Sequence, residues 1–225
     1  MDEPGRPAVR GHLHRADSPT GVGLVLTHGA GGDSRTPLLV AVARAAAAAG
    51  IHVLRCDLPY RQARASGPPS PSGAPRDRAG LDAAAAALRR MGAVRLVLGG
   101  LSYGGRQATL LAAEEPGVAE GLLLLSYPLH PPGRPADLRT AHWPQLRAPG
   151  VFVHGARDPF GSPEEMRQAL ALIPARTALI VVDGAGHDLS RSRRAAAETH
   201  REVAAAALAA LRDVAKVDIL MGGPS

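Results

Sequence analysis

The sequence has 225 residues, 45% of them hydrophobic but only 3% aromatic, which suits one domain with a core built mainly of Ala, Leu and Val. Its formal net charge of +6 comes almost entirely from arginine, because Lys216 is the only lysine. The arginines are scattered, and the densest run, residues 191–194, has no interleaved aromatic side chain to stack on bases, which argues against a nucleic-acid partner. Cys56 is the only cysteine, which excludes an intramolecular disulfide.

Targeting and membrane signals are not evident in the sequence. Residues 1–7 are polar and lack the apolar segment of a signal peptide, and no apolar run approaches the roughly 18 residues that span a bilayer. We therefore expect a soluble cytoplasmic protein without a membrane partner, as a monomer or a homodimer. We expect a single domain over residues 1–225, with residues 1–8 and 216–225 as flexible tails.

Short apolar segments rich in Val, Leu and Ile alternate with longer Ala-rich segments, a pattern typical of parallel strands joined by crossover helices. Strands are predicted over residues 22–27, 52–56, 94–99, 121–126, 151–154 and 178–182, with an additional edge strand over 9–14. Helices are predicted over residues 36–49, 78–91, 103–115, 163–173 and 191–214. Ser162 and Glu165 have the spacing of a capping box. The predicted fold is α/β, with a mostly parallel sheet and helices on both faces.

Two segments rich in Pro, Ser and Gly are predicted to be irregular surface excursions near the ends of strands. They span residues 61–76 and 128–149, and the second contains one candidate helical turn. Neither segment is long enough for a large folded lid, so we expect an open site.

The strongest chemical signal is the turn Gly100-Leu101-Ser102-Tyr103-Gly104, which follows a predicted strand and precedes a predicted helix. This order is the context that the G-x-S-x-G nucleophile motif requires. Side chains at Gly100 or Gly104 would collide with the neighbouring strand or helix, and the serine backbone is expected to be strained. We therefore predict that Ser102 is a nucleophile exposed at the amino end of a helix, rather than a capping serine in a glycine-rich turn.

A serine hydroxyl needs a general base, because almost none of it is ionised near neutral pH. His187 is predicted to be that base, since it lies just after the last predicted strand and can reach the carboxyl edge of the sheet. Asp158, which follows the strand before it, is predicted to orient His187. The order Ser, Asp, His is the one that accompanies this motif. Asp183 and Asp188 are alternatives, but each is too close to His187 in the chain to reach the far ring nitrogen easily.

The segment His28-Gly29-Ala30-Gly31-Gly32 follows the first central strand and is a candidate oxyanion loop. We predict that the backbone N–H of Ala30, with Gly31 as the alternative, acts together with the N–H of Tyr103. A phosphate-binding loop is disfavoured, because neither a Lys-Ser/Thr pair nor G-x-G-x-x-G spacing is present. No cofactor and no metal are expected, since one cysteine and dispersed histidines lack the spacing of a zinc site.

Other residues near strand ends or in the two excursions are candidates for substrate contact. These candidates are Gly31, Tyr60, Arg61, Arg106, Tyr127, His130 and Phe160. Arg61 and Arg106 would suit an anionic substrate, but each could equally form a structural salt bridge or bind backbone carbonyls.

Several motifs together resemble those of the α/β-hydrolases, and more narrowly of bacterial, dienelactone-hydrolase-like members similar to the human testis-expressed and NSL-complex-subunit hydrolase-like proteins. The motifs are HGAGG (28–32), LPYR (58–61), GGLSYGGR (99–106), YPLHPPG (127–133), LRTAH (138–142), GARDPFG (155–161) and GAGHDL (184–189). The serine turn occurs in many hydrolases, whereas the Tyr-Pro-Leu-His and Asp-Pro-Phe-Gly segments are more specific. The resemblance implies the α/β-hydrolase fold and the serine triad, and it leaves the substrate open.

Three functions are compatible with these residues. Hydrolysis of a carboxylic ester or thioester, with a small-molecule acyl substrate, is the main prediction. A non-catalytic protein-interaction module on a hydrolase fold is the alternative from another class, and the presence of all four catalytic parts argues against it. Acyl transfer to an alcohol or amine would use the same triad and is not separable by sequence.

Overall fold

A seven-stranded sheet organises residues 5–215, which are the residues that the computed structural model describes. Its strands are β1 (Gly11–His14), β2 (Val22–Thr27), β3 (His52–Cys56), β4 (Arg95–Leu101), β5 (Gly121–Leu125), β6 (Gly150–Gly155) and β7 (Thr177–Val182). The spatial order is β1-β3-β2-β4-β5-β6-β7, with β1 antiparallel to β3 and the other neighbouring pairs parallel. The predicted mostly parallel sheet is confirmed, including the edge position of the first strand.

Helices cover both faces of this sheet. They are α1 (Pro37–Ala48), α2 (Pro59–Ala63), α3 (Ala74–Arg90), α4 (Tyr103–Glu114), α5 (Pro163–Leu170) and α6 (Ala196–Ala215). Helices α1 and α6 pack together on one face, whereas α3, α4 and α5 contribute to the core on the other. Strands β2 and β5 are therefore buried at every residue, which explains why their sequences are continuously apolar.

The prediction that residues 61–76 are irregular is wrong at both ends of that segment. Its first residues belong to the short helix α2, and α3 begins at Ala74, four residues before the predicted start at 78. A 3-10 turn over Pro71–Gly73, capped by the Ser70 hydroxyl, leads directly into α3. The Ser70 hydroxyl thus stabilises a regular turn in a segment whose composition indicates a loop.

The last two helices differ from their predicted bounds by three or more residues at one end each. Helix α6 begins at Ala196 instead of 191, because a turn held by the Ser192 hydroxyl, which accepts from the Ala195 N–H, precedes it. Helix α5 ends at Leu170 instead of 173. Its predicted capping box is confirmed, since both reciprocal bonds between Ser162 and Glu165 are present.

The carboxyl ends of the parallel strands meet at one edge of the sheet, and no lid domain covers that edge within the described part of the chain. The excursion before β6 contributes only a 3-10 turn, Trp143–Gln145. Among residues 5–215, none of the helices has the length and apolar character that a bilayer span requires. Residues 1–4 and 216–225, which belong to the predicted tails, lie outside the described residues, and Arg6 forms an ion pair with Asp82 (3.2 Å).

Candidate active site

Ser102 lies in a sharp turn between β4 and α4, as the strand–turn–helix pattern predicts. Its backbone has a φ of 52° and a ψ of −115°, a conformation of the kind that costs a non-glycine residue about 1–3 kcal/mol. The Ser102 N–H donates to the carbonyl of Leu125 (2.8 Å), and its carbonyl accepts from the N–H of Arg106 (3.0 Å). The adjacent strand end and the first turn of the helix therefore hold the strained backbone in place.

The glycines beside this turn leave no room for a side chain. A Cβ atom at Gly100 would lie 2.6 Å from the carbonyl oxygen of Thr27, and one at Gly104 would lie 2.7 Å from that of His28. The predicted collisions at these glycines are confirmed. The same close approach brings the loop after β2 next to Ser102.

Three side chains from distant parts of the sequence form a chain of hydrogen bonds. The Nε2 atom of His187 lies 2.8 Å from the Ser102 hydroxyl oxygen, and its Nδ1 atom lies 2.8 Å from Oδ2 of Asp158. Because a carboxylate can only accept, the proton of a neutral imidazole is placed on Nδ1, which leaves Nε2 as the acceptor for the serine proton. This geometry allows the imidazole to deprotonate the serine hydroxyl.

Asp158, rather than either alternative carboxylate, is brought to His187. Its side chain is fully buried, and Oδ1 also accepts from the backbone N–H of Phe160 (2.9 Å). The Asp188 carboxylate instead binds the N–H and hydroxyl of Ser190 (3.0 and 2.6 Å). Asp183 lines a separate surface pocket together with Arg191 and Glu202.

A cleft of about 420 Å³, with a mainly apolar lining, opens beside Ser102 and His187. Its lining residues are Gly29, Ala30, Gly31, Gly32, Thr36, Leu101, Ser102, Phe160, His187 and Asp188. Of the candidate substrate contacts, the structure brings Gly31 and Phe160 to this cleft. The Phe160 ring also stacks on the imidazole of His187, with 4.3 Å between ring centroids and a 33° tilt.

Tyr60 and Arg61, expected to contact substrate, do not line the cleft. Both are largely buried, at 8% exposure, and both bind backbone carbonyls of the loop 28–32. The Tyr60 hydroxyl shares its one proton between the carbonyls of Gly29 (3.2 Å) and Ala30 (3.0 Å), and the Arg61 guanidinium donates to that of Ala30 (3.0 Å). Both side chains hold the loop in place. For Arg61, binding to backbone carbonyls was the alternative that the sequence left open.

Three further substrate candidates also lie away from the cleft. Tyr127 is 1% exposed, and its hydroxyl donates to the carbonyl of Arg139 (2.7 Å). His130 is buried, and its Nδ1 donates to the carbonyl of the following residue. Arg106 does not line the cleft, and its positive charge helps to lower the pKa of His142. A position near a strand end in the sequence therefore did not place these side chains in the cleft.

Asp77, which binds residues on two sides of the cleft, was not singled out by the sequence. It lies in the first turn of α3, is 1% exposed, and binds both Tyr60 and Tyr103. The sequence carries no motif around it. Asp77 also precedes residue 78, where the sequence predicts that this helix begins. A buried carboxylate in an unpredicted helix turn is visible only in the tertiary structure.

A second cavity of the described chain lacks a nucleophile. A larger groove of about 740 Å³ lies between α1 and α6, and it contains no serine, cysteine or carboxylate side chain. Among residues 5–215, no cluster of three or more His, Cys, Asp or Glu side chains could hold a metal ion. The cleft at Ser102, by contrast, joins a nucleophile to a base.

Comparison with known proteins assigns the family. A family model described as an alpha/beta hydrolase domain matches residues 20–216. The chain belongs to the α/β-hydrolase family. The matched range contains Ser102, Asp158, His187 and the loop 28–32, and the predicted family resemblance is confirmed.

Solved structures of other α/β-hydrolases have the same fold as this one. Dienelactone hydrolase from Anabaena variabilis superposes with a TM-score of 0.71 at 20% identity, covering 92% of this chain and 94% of that one. A serine hydrolase without a lid from Xanthomonas campestris has a TM-score of 0.68 at 18% identity, with 99% of both chains covered. At these identities the similarity extends to the fold alone.

Curated relatives match a shorter segment. A provisionally named carboxymethylenebutenolidase of Salmonella typhimurium is 34% identical over 108 residues, which is 44% of this α/β-hydrolase and 38% of that protein. The match thus spans well under half the length of the relative.

Proposed function

We propose that this α/β-hydrolase cleaves carboxylic esters or thioesters through an acyl-enzyme intermediate on Ser102. The observation that carries the proposal is the continuous chain of hydrogen bonds from Ser102 through His187 to Asp158. The distance between the bonded nitrogen and oxygen atoms is 2.8 Å in both bonds. The strained backbone of Ser102 at the amino end of α4 supports it, because this turn holds the hydroxyl in the orientation that attack requires.

In the first half of the reaction, Nε2 of His187 takes the hydroxyl proton while Ser102 Oγ attacks the substrate carbonyl carbon. Asp158 keeps the imidazole in the required tautomer and stabilises its positive charge. The imidazolium then returns the proton to the leaving alkoxide or thiolate, which leaves the acyl group on Ser102. In the second half, His187 activates a water that hydrolyses this ester and restores the serine.

The negative charge on the carbonyl oxygen needs hydrogen-bond donors that are oriented in advance. The backbone N–H groups of Tyr103 and Ala30, with Gly31 as the alternative to Ala30, are the donors that we assign. Within the described residues none of these three N–H groups donates a backbone hydrogen bond, so all are free to bind the oxyanion. Each such donor contributes about 10²–10³ in kcat in serine hydrolases.

The cleft favours a small acyl substrate. Its volume is about 420 Å³, its lining is mainly apolar, and no lid extends over it in the described chain. The similarity to proteins named dienelactone hydrolase and carboxymethylenebutenolidase supports including lactones among the esters to test.

The nucleophile is tested with a fluorophosphonate, which phosphonylates an activated serine. We expect the wild-type protein to be labelled once, Ser102→Ala to remain unlabelled, and the control variant of the exposed residue Ser72→Ala to be labelled like the wild type. Absence of labelling in a folded wild-type protein, or labelling that persists in Ser102→Ala, would contradict the proposal.

The reaction is tested with short and long acyl esters, matched acyl thioesters and simple lactones. Asp158→Asn should lower kcat by about 10⁴, because the amide would stabilise the wrong imidazole tautomer. A folded, labelled protein that turns over none of these substrates, and that co-purifies with a stable partner, would favour the interaction module instead.

A further inference from the structure

Asp77 bonds to two tyrosines that lead to the two sides of the oxyanion site. Its Oδ2 accepts from the Tyr103 hydroxyl (2.8 Å), and its Oδ1 accepts from the backbone N–H of Tyr60 (3.0 Å). The two tyrosine rings also pack edge to face, with 5.8 Å between their centroids. One buried carboxylate on α3 thus connects the helix that begins after Ser102 with the segment that follows β3.

The first connection ends at the nucleophile turn. Tyr103 directly follows Ser102, and its backbone N–H is one of the proposed oxyanion donors. Its side chain is bound to Asp77, 26 residues away in the chain. The bond therefore restrains the residue that carries this donor, in a turn whose backbone is already strained at Ser102.

The second connection ends at the loop 28–32. The Tyr60 hydroxyl binds the carbonyls of Gly29 (3.2 Å) and Ala30 (3.0 Å), which belong to two consecutive peptide groups. In a trans peptide the N–H points opposite to the C=O, so these bonds direct the N–H groups of Ala30 and Gly31 away from Tyr60. Because Asp77 binds the backbone of Tyr60, it holds the residue whose hydroxyl orients both candidate donors.

We infer that Asp77 is a positioning residue that holds both sides of the oxyanion site, through the Tyr103 side chain and through Tyr60. The inference rests on the proposed hydrolase function and deepens it. An oxyanion site accelerates the reaction only when its dipoles are fixed before the charge develops. Loss of Asp77 should therefore weaken binding of the transition state more than binding of the substrate.

The test compares Asp77→Ala with Asp77→Asn and with Asp82→Asn, a control on the same helix whose carboxylate pairs with Arg6. We expect Asp77→Ala to lower kcat on an ester about 10²–10³-fold with little change in KM. Asp77→Asn should keep most of the activity, because its amide oxygen can accept from Tyr60 and its NH₂ can donate to the Tyr103 oxygen. Asp82→Asn should behave like the wild type.

A thionoester of the same acid separates positioning from general damage. Its C=S sulfur is a poor hydrogen-bond acceptor, so turnover of the thionoester depends less on the oxyanion donors. Asp77→Ala should therefore reduce the ratio of ester to thionoester kcat, whereas a variant that is only less well folded would lower both rates equally. In the ¹⁵N NMR spectrum, the amide signals of Ala30, Gly31 and Tyr103 should shift in Asp77→Ala and stay near their wild-type positions in Asp82→Asn.

If Asp77→Ala does not fold, Tyr60→Phe and Tyr103→Phe test the two connections separately, because each removes one hydroxyl and keeps Asp77. Each should lower the ester rate and the ester to thionoester ratio. Wild-type ratios in these variants, or in a folded Asp77→Ala, would overturn the inference while fluorophosphonate labelling of the wild type still supported the hydrolase function. A folded wild type that is not labelled would instead remove the function on which the inference rests.

Discussion

The ring of Phe160 lies against the imidazole of His187, with 4.3 Å between their centroids. The backbone N–H of the same Phe160 donates to Oδ1 of Asp158 (2.9 Å), whose carboxylate binds Nδ1 of His187. One short loop after β6 therefore restrains the imidazole twice, through a hydrogen bond from its aspartate and through a ring that covers one face. Phe160 was expected as a substrate contact, and this stacking adds a second role to its place in the cleft.

Replacing the ring tests this role. Phe160→Ala should lower kcat about 10–100-fold, because a small displacement of a catalytic group has effects of this size. Phe160→Leu, which still covers the imidazole, should lose less. The measurements are kcat, KM and the rate of fluorophosphonate labelling, which involves no acyl substrate. An unchanged labelling rate with a raised KM would assign Phe160 to substrate binding alone.

Close packing at the nucleophile turn should make Gly104 intolerant of substitution. In Gly104→Ala the new methyl group would lie 2.6 Å from Thr27 Cγ2 and 2.7 Å from the His28 carbonyl oxygen. We expect a loss of about 1–3 kcal/mol in the free energy of unfolding, measured by urea denaturation, and slower labelling of Ser102. The matched control is Gly121→Ala, where the nearest atom is 3.4 Å away, and a similar loss there would contradict this explanation.

His142 should make stability depend on pH below neutrality. Burial and the positive charges of Arg106 and Arg78 lower its pKa from 6.5 to about 4, and its Nε2 lies 2.8 Å from the Thr109 hydroxyl. Between those two values the unfolded chain binds the proton more readily, so the contribution of neutral His142 is fully present above pH 6.5 and is lost as the pH falls towards 4.

The variant His142→Gln, which cannot be protonated in this range, should therefore flatten the fall in unfolding free energy between pH 6.5 and 4. The buried His28, whose pKa is also lowered, is present in both proteins and cancels in the comparison. Urea denaturation at several pH values measures the effect. Parallel curves for the two proteins would show that His142 does not contribute.

Cys56 should be unreactive in the folded protein. Its side chain is buried in β3, and burial raises the pKa of the thiol to about 12, so the reactive thiolate is nearly absent at neutral pH. We expect no reaction with Ellman's reagent in native buffer and reaction of one thiol in urea. Rapid reaction of the native protein would mean that this strand opens readily.

Local patterns in the sequence were sufficient for features that depend on neighbouring residues. The strand, glycine turn and helix around Ser102 are contiguous, and their hydrophobic periods and glycine positions determine them without distant contacts. Chain order also placed Asp158 and His187 just after successive strands, and parallel strands carry such positions to the same edge of the sheet. The fold class and the members of the candidate triad could therefore be predicted.

Only the tertiary structure decided which side chains line the cleft and which bind the backbone of the loops around it. Tyr60, Arg61 and Tyr127 are close to strand ends in the sequence, yet their hydroxyl and guanidinium groups bind backbone carbonyls instead of lining the cleft. Asp77 carries no local signal at all. The direction and partners of a side chain depend on packing between segments far apart in the chain. The strained Ser102 was therefore predictable from its turn, whereas the buried residues that bind the loop 28–32 were not.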